Sequence, residues 1–281
     1  AQPGRLSTAS PRLPGHEPLH HPAAPPGPPP VTVTVTVIGS AGTHSSAERV
    51  CSSYLVTHEG TDLLLDVGSG ALHNLLKVRD VADLDGLVIS HMHPDHYMDV
   101  FGLNYALRFH PSDLPAIPVF GPADMYPVVS NTLPEESVEK MADLLHFHTA
   151  RAGDRVHVNE MAIELFAMNH PMETLGSRIT IGDTVVAFTG DTAPTPEIDG
   201  LAADADLLIC DATWLESQRP LPADVHCTGA EAGRAAASAG ARRLLITHVS
   251  PYNDPQAVAD EAATHYDGEV IVAVDLMEID L

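Results

Sequence analysis

The stretch Ser90-His91-Met92-His93-Pro94-Asp95-His96 sets three imidazoles and one carboxylate close together along the chain. It follows the apolar run Gly86-Leu87-Val88-Ile89, so these side chains stand where a buried strand should end. In extended chain, side chains two apart share a face, so His91 and His93 can grip one cation. Pro94 breaks the extended pairing and turns the chain, which sends Asp95 and His96 elsewhere, within reach of a second cation. Imidazole nitrogens with carboxylate oxygens form a ligand set for zinc, with manganese or iron as alternatives. A lone His-x-His pair is more often solvated surface. Three histidines and an aspartate leaving a buried strand favour metal.

The same arrangement recurs downstream. The alternating run Met161 to Met168 delivers Asn169-His170-Pro171, and a hairpin from Ser177 to Phe188, turned at Gly182-Asp183, delivers Thr189-Gly190-Asp191-Thr192. Asp206 to Cys210 leads to Asp211-Ala212-Thr213-Trp214, and Arg243 to Thr247 leads to His248. Five strands are thereby expected to present His91, His170, Asp191, Asp211 and His248 at one edge of a packed sheet. Placing a site on loops carried by a rigid scaffold is the usual solution for binding and catalysis.

Other elements follow from pattern. Val31 to Val37 alternates strictly and predicts a strand with one buried face. Val50 to Thr57 and Thr61 to Asp66 read as a hairpin, and Gly68-Ser69-Gly70 leads into a helix through Lys77. That glycine spacing fits neither Gly-x-Gly-x-x-Gly nor a P-loop, which excludes a nucleotide-binding turn. His96 to His110 reads as one amphipathic helix, Gly229 to Ala239 and Pro255 to His265 as two more, and Val270 to Val274 as the closing strand. His146 and His148 lack a following Asp-His and read as surface strand residues. Residues 1–30 hold ten prolines and read as a disordered tail, with His16, His20 and His21 solvated; the folded domain is expected over 31–281.

The motif His-x-His-x-Asp-His at His91 to His96 resembles that of the metallo-β-lactamase superfamily, the ribonuclease Z-like branch in particular. The resemblance covers residues 31–281 and implies an αββα sandwich, two mixed β-sheets face to face with helices outside. It implies two zinc ions, with Mn2+ or Fe2+ as alternatives. His91, His93 and His170 would bind the first, Asp95, His96 and His248 the second, and Asp191 would bridge both. Asp66, at the end of Leu64-Leu65-Asp66, matches a family aspartate that orients the metal-binding loop; capping the following helix is the competing role. His226-Cys227-Thr228 with Glu231-Ala232 looks like the branch's His-x-Thr-x-x-Glu-Ala motif, whose histidine pairs with an acid. The matching acid is Asp211, one methylene shorter than the usual glutamate. The run His170-Pro171-x-Glu173-x-x-Gly176-x-Arg178-Ile179 and Asp211-Ala212-Thr213-Trp214 are similar to the atypical cyclic nucleotide phosphodiesterases of that branch. The implied chemistry is hydrolysis of a phosphodiester with Asp95, His226 and Asp211 as catalytic groups. A homodimer is implied as well.

Charge narrows the substrate. The chain carries 38 Asp and Glu against 14 Lys and Arg, a net charge of -24, and only Lys77 and Lys140 are lysines. Such a surface repels polyanions at long range, so extended nucleic acid is disfavoured and a small phosphodiester is the expected partner. The glycine-rich basic arm with which tRNA-processing members clamp tRNA has no counterpart between His96 and His170. A tRNA 3′-endonuclease, or a lactonase or thioesterase on the same scaffold, are the alternatives. Three widely spaced cysteines, Cys51, Cys210 and Cys227, form no disulfide framework and suit a reducing, cytoplasmic setting. No apolar run is long enough to span a membrane.

Overall fold

The computed structural model describes residues 32–281; the proline-rich stretch 1–30 and Val31 lie outside the described residues. The chain runs β1 (Thr34–Gly39), β2 (Ser53–His58), β3 (Thr61–Leu65), α1 (Ala71–Val78), β4 (Leu84–Val88), α2 (Pro94–Tyr97), α3 (Val100–Arg108) and β5 (Ile117–Gly121). It continues through α4 (Met125–Thr132), α5 (Glu135–Ala142), β6 (Leu145–Thr149), β7 (Arg155–Val158), β8 (Met161–Ala167), β9 (Leu175–Ile181) and β10 (Thr184–Phe188). It ends with α6 (Glu197–Leu201), β11 (Leu207–Asp211), α7 (Gly229–Ala239), β12 (Arg243–Thr247), α8 (Pro255–Ala263), β13 (Glu269–Val272) and β14 (Glu278–Asp280).

The strands form two seven-stranded mixed sheets, ordered β14-β1-β2-β3-β4-β5-β6 and β13-β12-β11-β10-β9-β8-β7. In each sheet one half is antiparallel hairpins and the other is parallel strands linked through helices. Side-chain alternation then sorts the apolar residues into layers. Leu63, Leu65, Val35 and Val37 meet Ile163, Ile179, Val186 and Ile209 between the sheets. Leu55, Leu64 and Leu87 face outward onto Leu75, Leu103 and Met141. Leu208, Cys210, Leu244 and Ile246 do the same against Ala232, Ala236, Val258 and Ala262. The result is the expected αββα sandwich.

Three expectations fail, each for a local reason. The helix predicted over His96 to His110 is broken after Tyr97. The Asp99 amide donates to Val67 O at 3.0 Å, where an unbroken helix would have it donate to Asp95 O. The Asp99 carboxylate meanwhile accepts from Leu72 N at 2.9 Å, tying this break to the start of α1. The contact requires glycine at position 68, since a Cβ there would lie 2.0 Å from Asp95 O. Second, Val270 to Val274 is not the closing strand; the chain turns back through Leu276 and adds β14 to the edge of the first sheet. Third, the ligand-type residues do not share one sheet. His91 follows β4 of the first sheet, whereas His170, Asp191 and His248 follow β8, β10 and β12 of the second, and Asp211 ends β11.

Helices α7 and α8 pack with almost no space between backbones. A Cβ on Gly233 would sit 2.3 Å from Ala262 O. Gly233→Ala should therefore cost about 1–3 kcal/mol through overpacking, read as a lowered denaturation midpoint.

Candidate metal centre

The predicted ligands come from loops at the carboxyl ends of β4, β8, β10 and β12, the end of a layered sheet where sites commonly sit. His93 holds an extended backbone after β4, and Pro94 then opens the short helix α2. That geometry separates the motif as its spacing suggests. His91 Nε2, His93 Nδ1 and His170 Nε2 converge, with 3.0 Å between the first two and 3.1 Å between the last two. Asp95, His96 and His248 form a second set, with His96 Nε2 and His248 Nε2 3.2 Å apart and Asp95 Oδ2 3.3 Å from His248 Nε2. Asp191 lies between them. Its Oδ2 is 3.5 Å from His91 Nε2 and 4.0 Å from His170 Nε2. Its Oδ1 is 3.2 Å from His96 Nε2 and 3.1 Å from His248 Nε2.

The donor set fits divalent cations on several counts. The spacings match the edge of a ligand tetrahedron with zinc–nitrogen bonds of 2.0–2.1 Å, about 3.3 Å. Burial keeps His91 well below its ordinary pKa and lowers His93 and His170 as well, so these imidazoles are neutral Lewis bases. Asp191 Oδ1 is shielded from solvent and receives no hydrogen bond. Among the described residues, no lysine or arginine pairs with Asp66, Asp95, Asp191 or Asp211, although all four converge here. Buried carboxylates in that number require positive charge. The demand registers on His96: burial opposes its protonation, yet Asp191 and Asp66 push it well above the usual histidine value.

Four of the five ligand-type imidazoles are aimed by the other nitrogen, as metal ligands usually are. His96 Nδ1 donates to Asp66 Oδ2 at 2.6 Å, and His170 Nδ1 donates to Val225 O at 2.8 Å. His91 Nδ1 lies 3.0 Å from Ser90 Oγ, which donates onward to Asp66 Oδ2. His248 Nδ1 lies 2.9 Å from Thr213 Oγ1, which donates to Asp211 Oδ1. Asp95 Oδ2 accepts from the Thr43 amide at 2.7 Å. Asp66 also accepts from Ser90 N at 2.7 Å, and it stands four residues before Gly70, the residue that caps α1. It orients the metal-type loop and does not cap the helix. Asp66 and His248 both hold φ of +56°, a backbone cost accepted where the ligand loops leave their strands.

Asp211 does reach His226. The two meet at 2.8 Å between Nδ1 and Oδ2, with His226 Nδ1 also 3.8 Å from Asp191 Oδ2. The motif after His226 has a plain structural purpose. Thr228 caps α7 by accepting from Glu231 N, while the Glu231 carboxylate accepts from Thr228 N at 2.9 Å. That capping box fixes the start of the helix and with it the imidazole two residues earlier. Burial lowers the basicity of His226, but the Asp211 carboxylate outweighs it and raises the pKa to about 9. His146 and His148 are exposed on β6, as expected. Ser90, Thr213 and the Thr43 amide also join the site. The first two stand inside the runs Ser90 to His96 and Asp211 to Trp214, though no role for them is legible there, and Thr43 has no such signal.

The model of the β-lactamase superfamily domain matches residues 60–249, the span that holds every ligand-type residue named above. An uncharacterised protein of Mycobacterium tuberculosis is 32% identical over 250 residues, covering 87% of this chain and 90% of its own. A ribonuclease Z of Haloarcula marismortui is 29% identical over 301 residues, covering 88% and 96%. Among solved structures, the metallo-β-lactamase fold protein YhfI from Bacillus subtilis is similar with a TM-score of 0.79 at 26% identity, covering 89% of this chain and 100% of its own.

Asp66→Asn replaces one acceptor of the His96 proton with an amide. It should weaken binding of divalent metal about 10–100-fold, measured by competition with a chelating dye.

Proposed function

The chain belongs to the β-lactamase superfamily, as a metallo-hydrolase, and from that premise we propose that it is a phosphodiesterase acting on a small substrate, a 3′,5′-cyclic nucleotide. The observation that carries this reading is the His226–Asp211 pair set against Asp191. A proton donor beside the ligand cluster suits a reaction whose leaving group is an oxygen that must be protonated. A ribonuclease Z among the relatives supports phosphodiester chemistry.

His91, His93 and His170 would hold one divalent cation, Asp95, His96 and His248 a second, and Asp191 would face both; zinc suits the donors best, with manganese or iron as alternatives. Such cations supply Lewis acidity for activating water and for drawing charge from a phosphoryl oxygen. The chain's own groups do the rest. Burial raises the Asp95 carboxyl, but the His248 hydrogen bond and the nearby His96 hold it below the usual carboxylate range. It therefore stays ionised and orients the attacking water as an acceptor. His226 donates its proton to the leaving O3′ as the bond from phosphorus to O3′ breaks, and it is reprotonated from solvent. Asp211 keeps the imidazole charged and turned toward the cluster.

Charge favours a small substrate over tRNA. Arg49 donates to the Val249 and Ser250 carbonyls, and Arg219 is held by Glu216 and Glu231, so both arginines beside the ligand loops are already engaged. The net charge of -24 adds long-range repulsion of a polyanion.

The deciding experiment is turnover of 3′,5′-cyclic AMP by zinc- or manganese-loaded protein, with an unprocessed pre-tRNA in parallel. Hydrolysis of the cyclic nucleotide alone is expected, and cleavage of the pre-tRNA would replace this reading. His93→Ala should lose metal, by elemental analysis, and activity together. His226→Ala should keep its metal and lose about 10²–10⁴ in kcat. Because the acid must carry its proton, kcat falls as pH rises through its pKa. Asp211 raises that fall above about 6.5, and cations in the cluster would draw it below about 9. The pH–rate profile of His226→Ala should lack that alkaline limb.

A further inference from the structure

A cavity of about 180 Å³ opens against His226, lined in part by Asn169, Leu221, Pro222 and Asp224. It is small, below the range usual for whole-ligand pockets, and suits one fragment of a substrate. Its polar groups are unbalanced. Asn169 Nδ2 donates to Asp224 Oδ1 at 3.1 Å. A carboxylate can only accept, so this contact fixes which way the amide faces. Asn169 Oδ1 is thereby left as an acceptor to which no group among the described residues donates. Asp224 and Glu231 add further acceptors, and the guanidinium on this wall, Arg219, is already committed to Glu216 and Glu231. The cavity would repel a phosphate and welcome a hydroxyl.

Asn169 is also held firmly in place. Its backbone N–H donates to Thr192 Oγ1 at 3.2 Å and its backbone carbonyl accepts from Ala193 N at 2.8 Å. It therefore spans the loops that carry His170 and Asp191.

We infer that this cavity receives the 2′-hydroxyl of a ribose, with Asn169 Oδ1 accepting from it, so that the site selects ribonucleotides over deoxyribonucleotides. The inference rests on the phosphodiesterase reading. In a 3′,5′-cyclic nucleotide the oxygen that leaves phosphorus is O3′, and the 2′-hydroxyl stands on the adjacent carbon. With His226 delivering its proton to O3′, the neighbouring hydroxyl falls on the side of the cavity that His226 lines.

The test compares kcat/KM of the metal-loaded protein for 3′,5′-cyclic AMP and its 2′-deoxy analogue. The native protein should favour the ribose form about tenfold, the worth of one hydrogen bond with its partner left unpaired. Asn169→Ala should bring the ratio close to one. Asp224→Gly provides a second variant: Asp224 is exposed and holds φ of +58°, which glycine adopts freely, and freeing the amide should lower the ratio as well. Calorimetric titration with 5′-AMP and 2′-deoxy-5′-AMP gives the same comparison without turnover. A native kcat/KM ratio of one, or a ratio that survives both substitutions, overturns the inference. Equal hydrolysis of the two substrates sinks it alone, whereas hydrolysis of neither sinks the phosphodiesterase reading and the inference together.

Discussion

The structure depends on one electrostatic demand: Asp66, Asp95, Asp191 and Asp211 converge at the end of a water-excluding sandwich, and among the described residues no lysine or arginine pairs with them. Isolated carboxylates in such a place would be prohibitively costly. Histidines answer part of the demand through hydrogen bonds, and His226, which lies outside both ligand sets, does so as a cation. The remainder is a matter for divalent metal. The neutral imidazoles of His91, His93 and His170, whose basicity burial lowers, are the other half of that arrangement. Ligand orientation, loop strain and the placement of the acid pair all serve it.

Much of this is legible in the sequence because the relevant physics is local. Histidines two apart in extended chain must share a face, and a proline after them must turn the residues beyond it; the separation of His91 and His93 from Asp95 and His96 needs nothing more. Strand alternation likewise places β8, β10 and β12 within a few residues of their observed limits. The failures share a cause as well. The break between α2 and α3 is set by Asp99 bonding to Val67 and Leu72, partners roughly thirty residues away that helical periodicity does not register. Strand β14 is three residues long and exists only because β1 offers an edge. Sequence pattern indicates that strands end in ligands; it does not say which sheet each strand joins.

The polar support of the site is the least visible part. Ser90 and Thr213 each link two site residues through one hydroxyl and Thr43 acts through its backbone amide, and a residue's type alone does not disclose such a contact. The His-x-Thr-x-x-Glu pattern is the opposite case. It stands out through its likeness to other proteins, yet it is also a capping box, so helix physics alone accounts for its threonine and glutamate. Only the histidine is left for chemistry.

The division of ligands between the two sheets has a mechanical consequence. His91, His93, Asp95 and His96 hang from one layer, and His170, Asp191 and His248 from the other, so each set of donors includes members of both. Cations held there would act as rivets through the sandwich, adding to the apolar layer between the sheets and to hydrogen bonds across it such as that between Tyr54 and Thr247. Such rivets could not be set before the layers dock, because the sets His91, His93, His170 and Asp95, His96, His248 each draw on both layers. Metal capture would therefore come late in folding, and the resistance of the folded chain to heat would become a function of free metal concentration.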